Sequence, residues 1–289
     1  MLITTKLNIH DVLPLTCTRT GTCCHGKNVN LNPWELACLA KEKKISVHDF
    51  RNLYCEFGGI RLRFNGKPGW KGLPACSQYK DGFGCSAHLG RPLACRLYPL
   101  GRQKEADETT YIYQGSEFPC IEGCPGVVNL PQMSVAEYIK GQAAGKFEIA
   151  QDEYLEIMQN IADMAFVLLL ETNLSKSGER KTLQLWREMG HEQPEQLALR
   201  IGSEWMNCLM LPELDIDLVD PTNFARQHNE LLQTKAQATF GLLTTNQEWH
   251  GASCLLMGLA LHLSRGLGAN PIELVDHWIN TAKEHGVLE

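Results

Sequence analysis

Cys17-Thr-Arg-Thr-Gly-Thr-Cys23-Cys24-His25-Gly26 decides how the first half of this chain is organised. Three cysteines and a histidine fall within nine residues, two of the cysteines adjacent, with glycines at 21 and 26 that allow a tight backbone. Thiolates so crowded repel one another and oxidise readily unless a metal neutralises them, and zinc and iron both take thiolate ligands. Neighbouring side chains diverge, so Cys23 and Cys24 suit two sites or a polynuclear cluster better than a single mononuclear ion.

Outward from this stretch the thiols recur in groups: Cys76 with Cys85, then Cys95, then Cys120 with Cys124. With Cys17, Cys23 and Cys24 they make eight candidate metal ligands, enough for two four-thiolate sites. A chain of 289 residues, 44% hydrophobic, can fill a core without covalent staples, so its twelve cysteines ask for another explanation. The N-terminus lacks the pattern of a signal peptide. The longest apolar runs, Met164 to Leu170 and Leu255 to Leu263, fall well short of the roughly 20 residues that span a bilayer. The expectation is a soluble cytoplasmic protein with no membrane segment. In that reducing compartment clustered cysteines are metal ligands or redox groups rather than disulfides.

Charge and cysteine are unevenly spread. Residues 1–130 carry 16 Lys and Arg against 11 Asp and Glu, whereas residues 131–289 carry 11 against 22. Ten cysteines precede residue 130 and two follow it. The division predicts a cysteine-cluster metal-binding domain over 1–130 and a helical domain over 131–289, with the boundary in Pro125–Pro131. The basic excess of the first half is too small to indicate nucleic acid, and no aromatic-basic motif accompanies it. It suits an anionic cofactor or the negative charge of a thiolate–metal centre.

Local signals fill in the elements. Asn32-Pro33-Trp34-Glu35 reads as a capped helix start running to about Lys43, and Ser46-Val-His-Asp49 as a second, leading a short helix that carries Cys55. Ile60, Leu62 and Phe64 alternate with Arg61 and Arg63 before Asn65-Gly66, which predicts a hairpin turning at Asn65-Gly66. Residues 71–100 read as a loop-dominated, metal-ordered segment, Thr109 to Tyr113 as a short strand, and Phe118 to Gly126 as turns. From Ser134 the texture is helical. Ser134-Val-Ala-Glu137 is a capping box, and Tyr154, Ile157, Met158, Ile161, Met164, Ala165 and Leu168 form one apolar stripe. Further helices are expected near Pro194, after Asp220, near Thr245 and at Asn270-Pro271, the last ending at Gly286. The fold class is therefore α+β, mostly α: an irregular cysteine-rich first domain with a small hairpin, then an all-α domain.

Cys17-x5-Cys23-Cys24-His25-Gly26, followed by Leu31-x-Pro33-x-Glu35, resembles the opening of YkgJ-type cysteine-cluster proteins, zinc- or iron-chelating domains with a CxxCxxCC signature. Pro74-x-Cys76, Asp81-Gly82, Cys85, Arg91-Pro92-Leu93-x-Cys95-Arg96-x-Tyr98-Pro99 and Cys124-Pro125-Gly126 continue the resemblance, over about residues 15–127. Thr20 stands where the signature has its second cysteine, which removes one thiolate. The resemblance extends to flagellin lysine-N-methylases. It thereby implies a possible iron–sulfur centre used with S-adenosylmethionine, although neither the CxxxCxxC loop of ordinary radical enzymes nor a glycine-rich dinucleotide loop is present.

Arg91 and Arg96 flank Cys95 and are candidate cofactor-binding residues, as donors to cluster sulfurs or to an anionic ligand; the alternative is a surface or carboxylate-paired arginine. His25 and His88 read as loop hydrogen-bonding residues, and His250 and His262 as structural. Cys38, Cys55, Cys208 and Cys254 sit among apolar neighbours and read as small buried hydrophobes. Glu213, Asp215, Asp217 and Asp220 read as a solvated acidic loop. Three functions remain open at this point: a metalloprotein holding an iron–sulfur cluster or zinc, a protein lysine N-methyltransferase using S-adenosylmethionine on a protein substrate, and a zinc-folded adaptor whose helical half binds a protein partner.

Overall fold

Short strands gather where the cysteines lie, and long helices follow. The computed structural model describes residues 5–15, 21–105, 108–113, 131–171, 179–214 and 217–287, among which are eleven α-helices and nine strands. Strand β1 (Thr5–Leu7) is followed by β2 (Val12–Pro14) and, beyond the first cysteines, by helix α1 (Pro33–Lys43). The predicted start of α1 holds. The Asn32 side chain accepts a hydrogen bond from the Glu35 amide, the Asn32 amide donates in return to the Glu35 carboxylate, and Pro33 occupies the first turn.

Helix α2 (Val47–Tyr54), capped by Ser46, is shorter than expected and stops before Cys55. Cys55 takes an extended conformation and opens β3 (Cys55–Glu56), which pairs with β4 (Arg61–Leu62). The hairpin predicted to turn at Asn65-Gly66 therefore turns earlier, through Phe57–Gly59. There Gly58 has φ of +69°, a conformation that glycine adopts without steric cost. Gly66 is instead engaged in a bridge to Ala75.

Two further strands, β5 (Tyr79–Lys80) and β6 (Gly84–Cys85), make a second small hairpin before the short helix α3 (Leu93–Leu97). Strands β7 (Leu100–Glu105) and β8 (Glu108–Tyr113) complete a three-stranded antiparallel sheet in the order β1-β8-β7. The strand read at Thr109 to Tyr113 is thus present. The turns expected at Phe118 to Gly126 lie outside the described residues, as does most of the Pro125–Pro131 boundary.

Strand β9 (Gln132–Ser134) runs antiparallel to β2, and Ser134 then caps α4 (Val135–Gly141) with the capping box seen in the sequence. Helix α5 (Gly145–Glu171) carries the apolar stripe, with Tyr154, Ile157, Met158, Ile161 and Ala165 all buried. Next come α6 (Glu179–His191), α7 (Pro194–Ile201), α8 (Ser203–Met210), α9 (Pro221–Phe240), α10 (Asn246–Gly266) and α11 (Pro271–Glu284). Residues 255–263, the apolar run too short for a membrane, form the centre of α10. That helix is buried nearly all round from Ala252 to Gly266 and packs along α5, as expected of a core helix. Among the described residues no helix is long and apolar enough to cross a membrane.

Side chains from both sides of residue 130 enter one hydrophobic core. Trp34 of α1 meets Phe147 of α5 edge-on, with ring centroids 4.8 Å apart. His262 of α10 hydrogen-bonds the Phe57 carbonyl at 3.0 Å. Arg102 of β7 makes two hydrogen bonds to Asp152 of α5, and the Tyr111 hydroxyl of β8 donates to Glu148 of the same helix. In the acidic loop Asp217 pairs with Lys41 and Asp220 caps α9, while Asp215 lies outside the described residues.

Candidate metal centre

Three separate stretches of chain deliver thiols to one place. The first is the 3-10 turn Thr22–Cys24, entered through Gly21, which holds φ of +81°; a side chain on residue 21 would collide with the Tyr79 ring. The second is the segment around Cys76. Its amide donates to the Cys24 carbonyl at 2.7 Å, while Gly26 donates to Pro74 at 2.9 Å, so the two stretches lie side by side. The β5–β6 hairpin extends this second stretch to Cys85, opposite Tyr79. The third is α3, which carries Cys95.

Position in α3 is fixed by buried polar groups from distant sequence. Glu35 is buried, and besides its part in the cap of α1 it accepts a hydrogen bond from the Leu93 amide at 2.7 Å, tying the start of one helix to the start of the other. Burial raises the Glu35 carboxyl to about 7; the bonds from Leu93 and Asn32 and the Arg96 charge act in the opposite sense. Because both carboxylate oxygens accept backbone N–H bonds, the ionised form is the one the local geometry serves. Arg96 donates to the carbonyls of Arg91, Gln142 and Leu89, and its guanidinium lies 3.8 Å over the Phe147 ring. Arg91 donates to the His88 carbonyl and to Gln142 and contacts the His88 ring. The α3 helix is thereby clamped between α1 and the α4–α5 turn. Neither arginine is carboxylate-paired in these bonds, and the Arg91 Nε is buried with no hydrogen-bond partner among the described residues.

Cys23, Cys24, Cys76, Cys85 and Cys95 line one cleft of about 1100 Å³. Burial raises the Cys95 thiol well above its ordinary range. The thiols of Cys76, Cys23 and Cys85 lie near enough to raise it further, and the Lys27 charge opposes them. Burial likewise pushes Cys76 up to about 11, with a hydrogen bond from the Gln78 amide opposing and Cys85 adding. Cys24, also at the cleft, lies close enough to influence the Tyr79 hydroxyl. As they stand, no three His, Cys, Asp or Glu among the described residues are close enough to grip an ion. The donor set nevertheless fits zinc or iron, which would be held as thiolates by these cysteines, so that binding would release protons from buried thiols such as Cys76 and Cys95. Cys17, Cys120 and Cys124, and also Thr20, lie outside the described residues.

The remaining sequence candidates resolve simply. His25 is buried, its Nδ1 2.8 Å from the Gly21 carbonyl and its ring edge-on to Tyr79, and this holds the thiol-bearing turn in shape. Cys55 and Cys254 are buried and Cys38 and Cys208 half-buried, all with thiols raised first of all by burial. Cys55 also lies within electrostatic reach of Cys76.

Sequence reasoning missed Lys27 as a site residue. Its ammonium sits 2.8 Å from the centroid of the Tyr98 ring at the wall of the cleft. No local signal marks it, because the contact joins positions far apart in the chain.

Residues 16–113 match a family model, CxxCxxCC, described as a putative zinc- or iron-chelating domain. The match takes in Cys17 to Cys95 and ends before Cys120 and Cys124. No curated protein and no solved structure matches the chain.

Proposed function

We propose that the chain is a metalloprotein whose cleft holds iron, as an iron–sulfur cluster, or zinc, through the thiolates of Cys23, Cys76, Cys85 and Cys95. Cys24, Cys17, Cys120 and Cys124 are the remaining candidate ligands. One observation carries the reading: three separate stretches bring four thiols to one cleft, with Cys76, Cys23 and Cys85 all within electrostatic reach of Cys95. The family match over residues 16–113 supports metal.

Four thiolates suit either ion, and the four further candidate cysteines in the sequence favour the cluster. The metal would supply charge neutralisation and, if iron, electron storage. The chain's own groups would do the positioning: Glu35 and Arg96 fix α3, Gly21 and His25 shape the Cys23 turn, and the Arg91 Nε–H remains available to a cluster sulfur or an anionic ligand.

Anaerobic purification followed by metal and acid-labile sulfide analysis is the test. Brown protein with iron and sulfide supports the cluster. Colourless protein with stoichiometric zinc and no sulfide leaves the zinc form, and protein that takes up neither metal sinks the proposal.

A further inference from the structure

Some surface cations of this chain meet a carboxylate of their own chain, as Lys41 does with Asp217 and Arg226 with Glu230. Two loops beside the thiol-bearing turn behave differently. Lys67, Lys71 and Lys80 are exposed, none forms an ion pair among the described residues, and Asp81 is the one acid between residues 65 and 83. Both loops abut the same ring. A side chain on Gly69 would collide with His25, and Tyr79, next to Lys80, meets His25 edge-on at 4.8 Å. The first loop is held in shape, since Gly69 donates to the Leu73 carbonyl at 3.0 Å and Gly72 to that of Gly69 at 2.9 Å. Aromatic groups sit among the lysines: Trp70, with the Lys71 ammonium 4.6 Å over its ring, and Phe83, 61% exposed in the β5–β6 turn. An aromatic anchor inside a charged rim is the anatomy of a protein interface.

Helix α5 carries the opposite sign. Ile149, Glu153, Glu156, Asn160, Asp163 and Val167 recur at steps of three and four, so they share one face. Ile149 and Val167 are each nearly half-exposed, none of the three carboxylates forms an ion pair among the described residues, and no Lys or Arg occurs between residues 149 and 167. We propose that the chain associates head-to-tail with a second copy of itself, the Lys67, Lys71 and Lys80 loops of one protomer docking on the acidic face of α5 in the next. Each surface has charge and apolar contact to offer and lacks its complement within its own chain. The wider division of charge, 16 cations to 11 anions before residue 131 and 11 to 22 after it, has the same polarity. Because the two patches differ, the contact is heterologous, and it brings α5 of one protomer beside the thiol-bearing turn of the next. The proposal does not depend on the metal.

The test is sedimentation velocity on the full chain as purified, over a concentration series at low and high ionic strength. The parent is expected to sediment faster with rising concentration at low ionic strength and to return to the monomer at high, as a contact between exposed charges requires. Lys67→Glu with Lys71→Glu is expected to weaken association by roughly tenfold or more, and Glu153→Lys with Glu156→Lys to do the same. An equimolar mixture of the two double variants is expected to associate again, because each then supplies the surface the other has lost; recovery of that kind also shows that both variants are folded. A parent that stays monomeric at low ionic strength overturns the proposal, as does association that survives either reversal or a mixture that fails to recover. A monomeric parent that binds added polyglutamate or duplex DNA gives the loops to a different anionic partner and likewise overturns it.

Discussion

The helical half and the cysteine cleft bury their polar groups in opposite ways. In the helices several such groups meet a complement of a different kind from the same chain. The Tyr154 hydroxyl donates to His228 Nδ1 at 2.9 Å, His228 Nε2 donates to the Cys208 carbonyl at 3.0 Å, and Ser253 donates to the Ala165 carbonyl. In the cleft the convergent groups are thiols of one kind, which become mutually repulsive as soon as they ionise. The first region joins unlike polar groups to one another, while the second gathers like ones, the composition of a zinc- or iron-chelating domain. The lesson concerns like versus unlike neighbours: burial of complementary groups stabilises a fold, whereas burial of identical ionisable groups marks a place for a guest.

That contrast can be broken or sharpened at five points. Cys95→Ser should remove essentially all bound metal, a loss beyond the ten- to hundredfold typical of groups that merely orient ligands; metal analysis after gel filtration checks it. A variant that keeps full occupancy would take Cys95 out of the site. Trp186 is wholly buried in the helical core, so Trp186→Ala should cost about 3–5 kcal/mol in urea unfolding while the surviving folded protein keeps its metal.

Acid should act on the helices through their histidines. Burial pushes both His228 and His262 down to about 4, below the unfolded value of 6.5, so the folded state binds fewer protons than the unfolded one between these limits. Stability is therefore full above pH 6.5 and falls as the pH drops towards 4, by up to about 3 kcal/mol for each histidine. Urea midpoints measured across that window would show a slope, and a flat profile would contradict it. Asn32→Ala should cost about 1 kcal/mol through loss of the α1 cap, measured by thermal unfolding. The smallest effect is expected at Cys208→Ala and Cys254→Ala, which should leave metal content unchanged because both thiols sit among core side chains. A fall at either would redraw the ligand set.

Much of the helical architecture was legible because caps are local chemistry. Asn32-Pro33, Ser134 with Glu137, Asp220-Pro221 and Asn270-Pro271 each announce a helix within four residues, and each helix begins there. Helix α6 was passed over because its first residues are charged, although Leu183, Trp186 and Met189 carry helical spacing and are buried. The hairpin turn was misplaced because Asn65-Gly66 is the stronger local signal, while the chain turns where the positive-φ glycines Gly58 and Gly59 precede a strand partner. The cysteines of the site were visible by residue type alone. The groups around them were not: Glu35 reaches an amide fifty-eight residues away, and Lys27 meets the ring of the distant Tyr98. Contacts of that kind leave no periodicity to read.

Strands β2 and β9 give the cysteine-bearing stretch the character of a ring. Residues 15–131 depart and return through a single two-stranded ladder, Pro14 against Gln132, so the ends of that ring are pinned before any guest arrives. Inside a ring, the configurational cost of drawing two positions together grows only with the logarithm of the contour between them. The widest interval between consecutive cleft cysteines, from Cys24 to Cys76, is already bridged by a backbone hydrogen bond. A cation entering the cleft therefore meets a chain whose search is nearly finished, and its arrival should register as local stiffening rather than as the coil-to-fold transition of a small zinc finger.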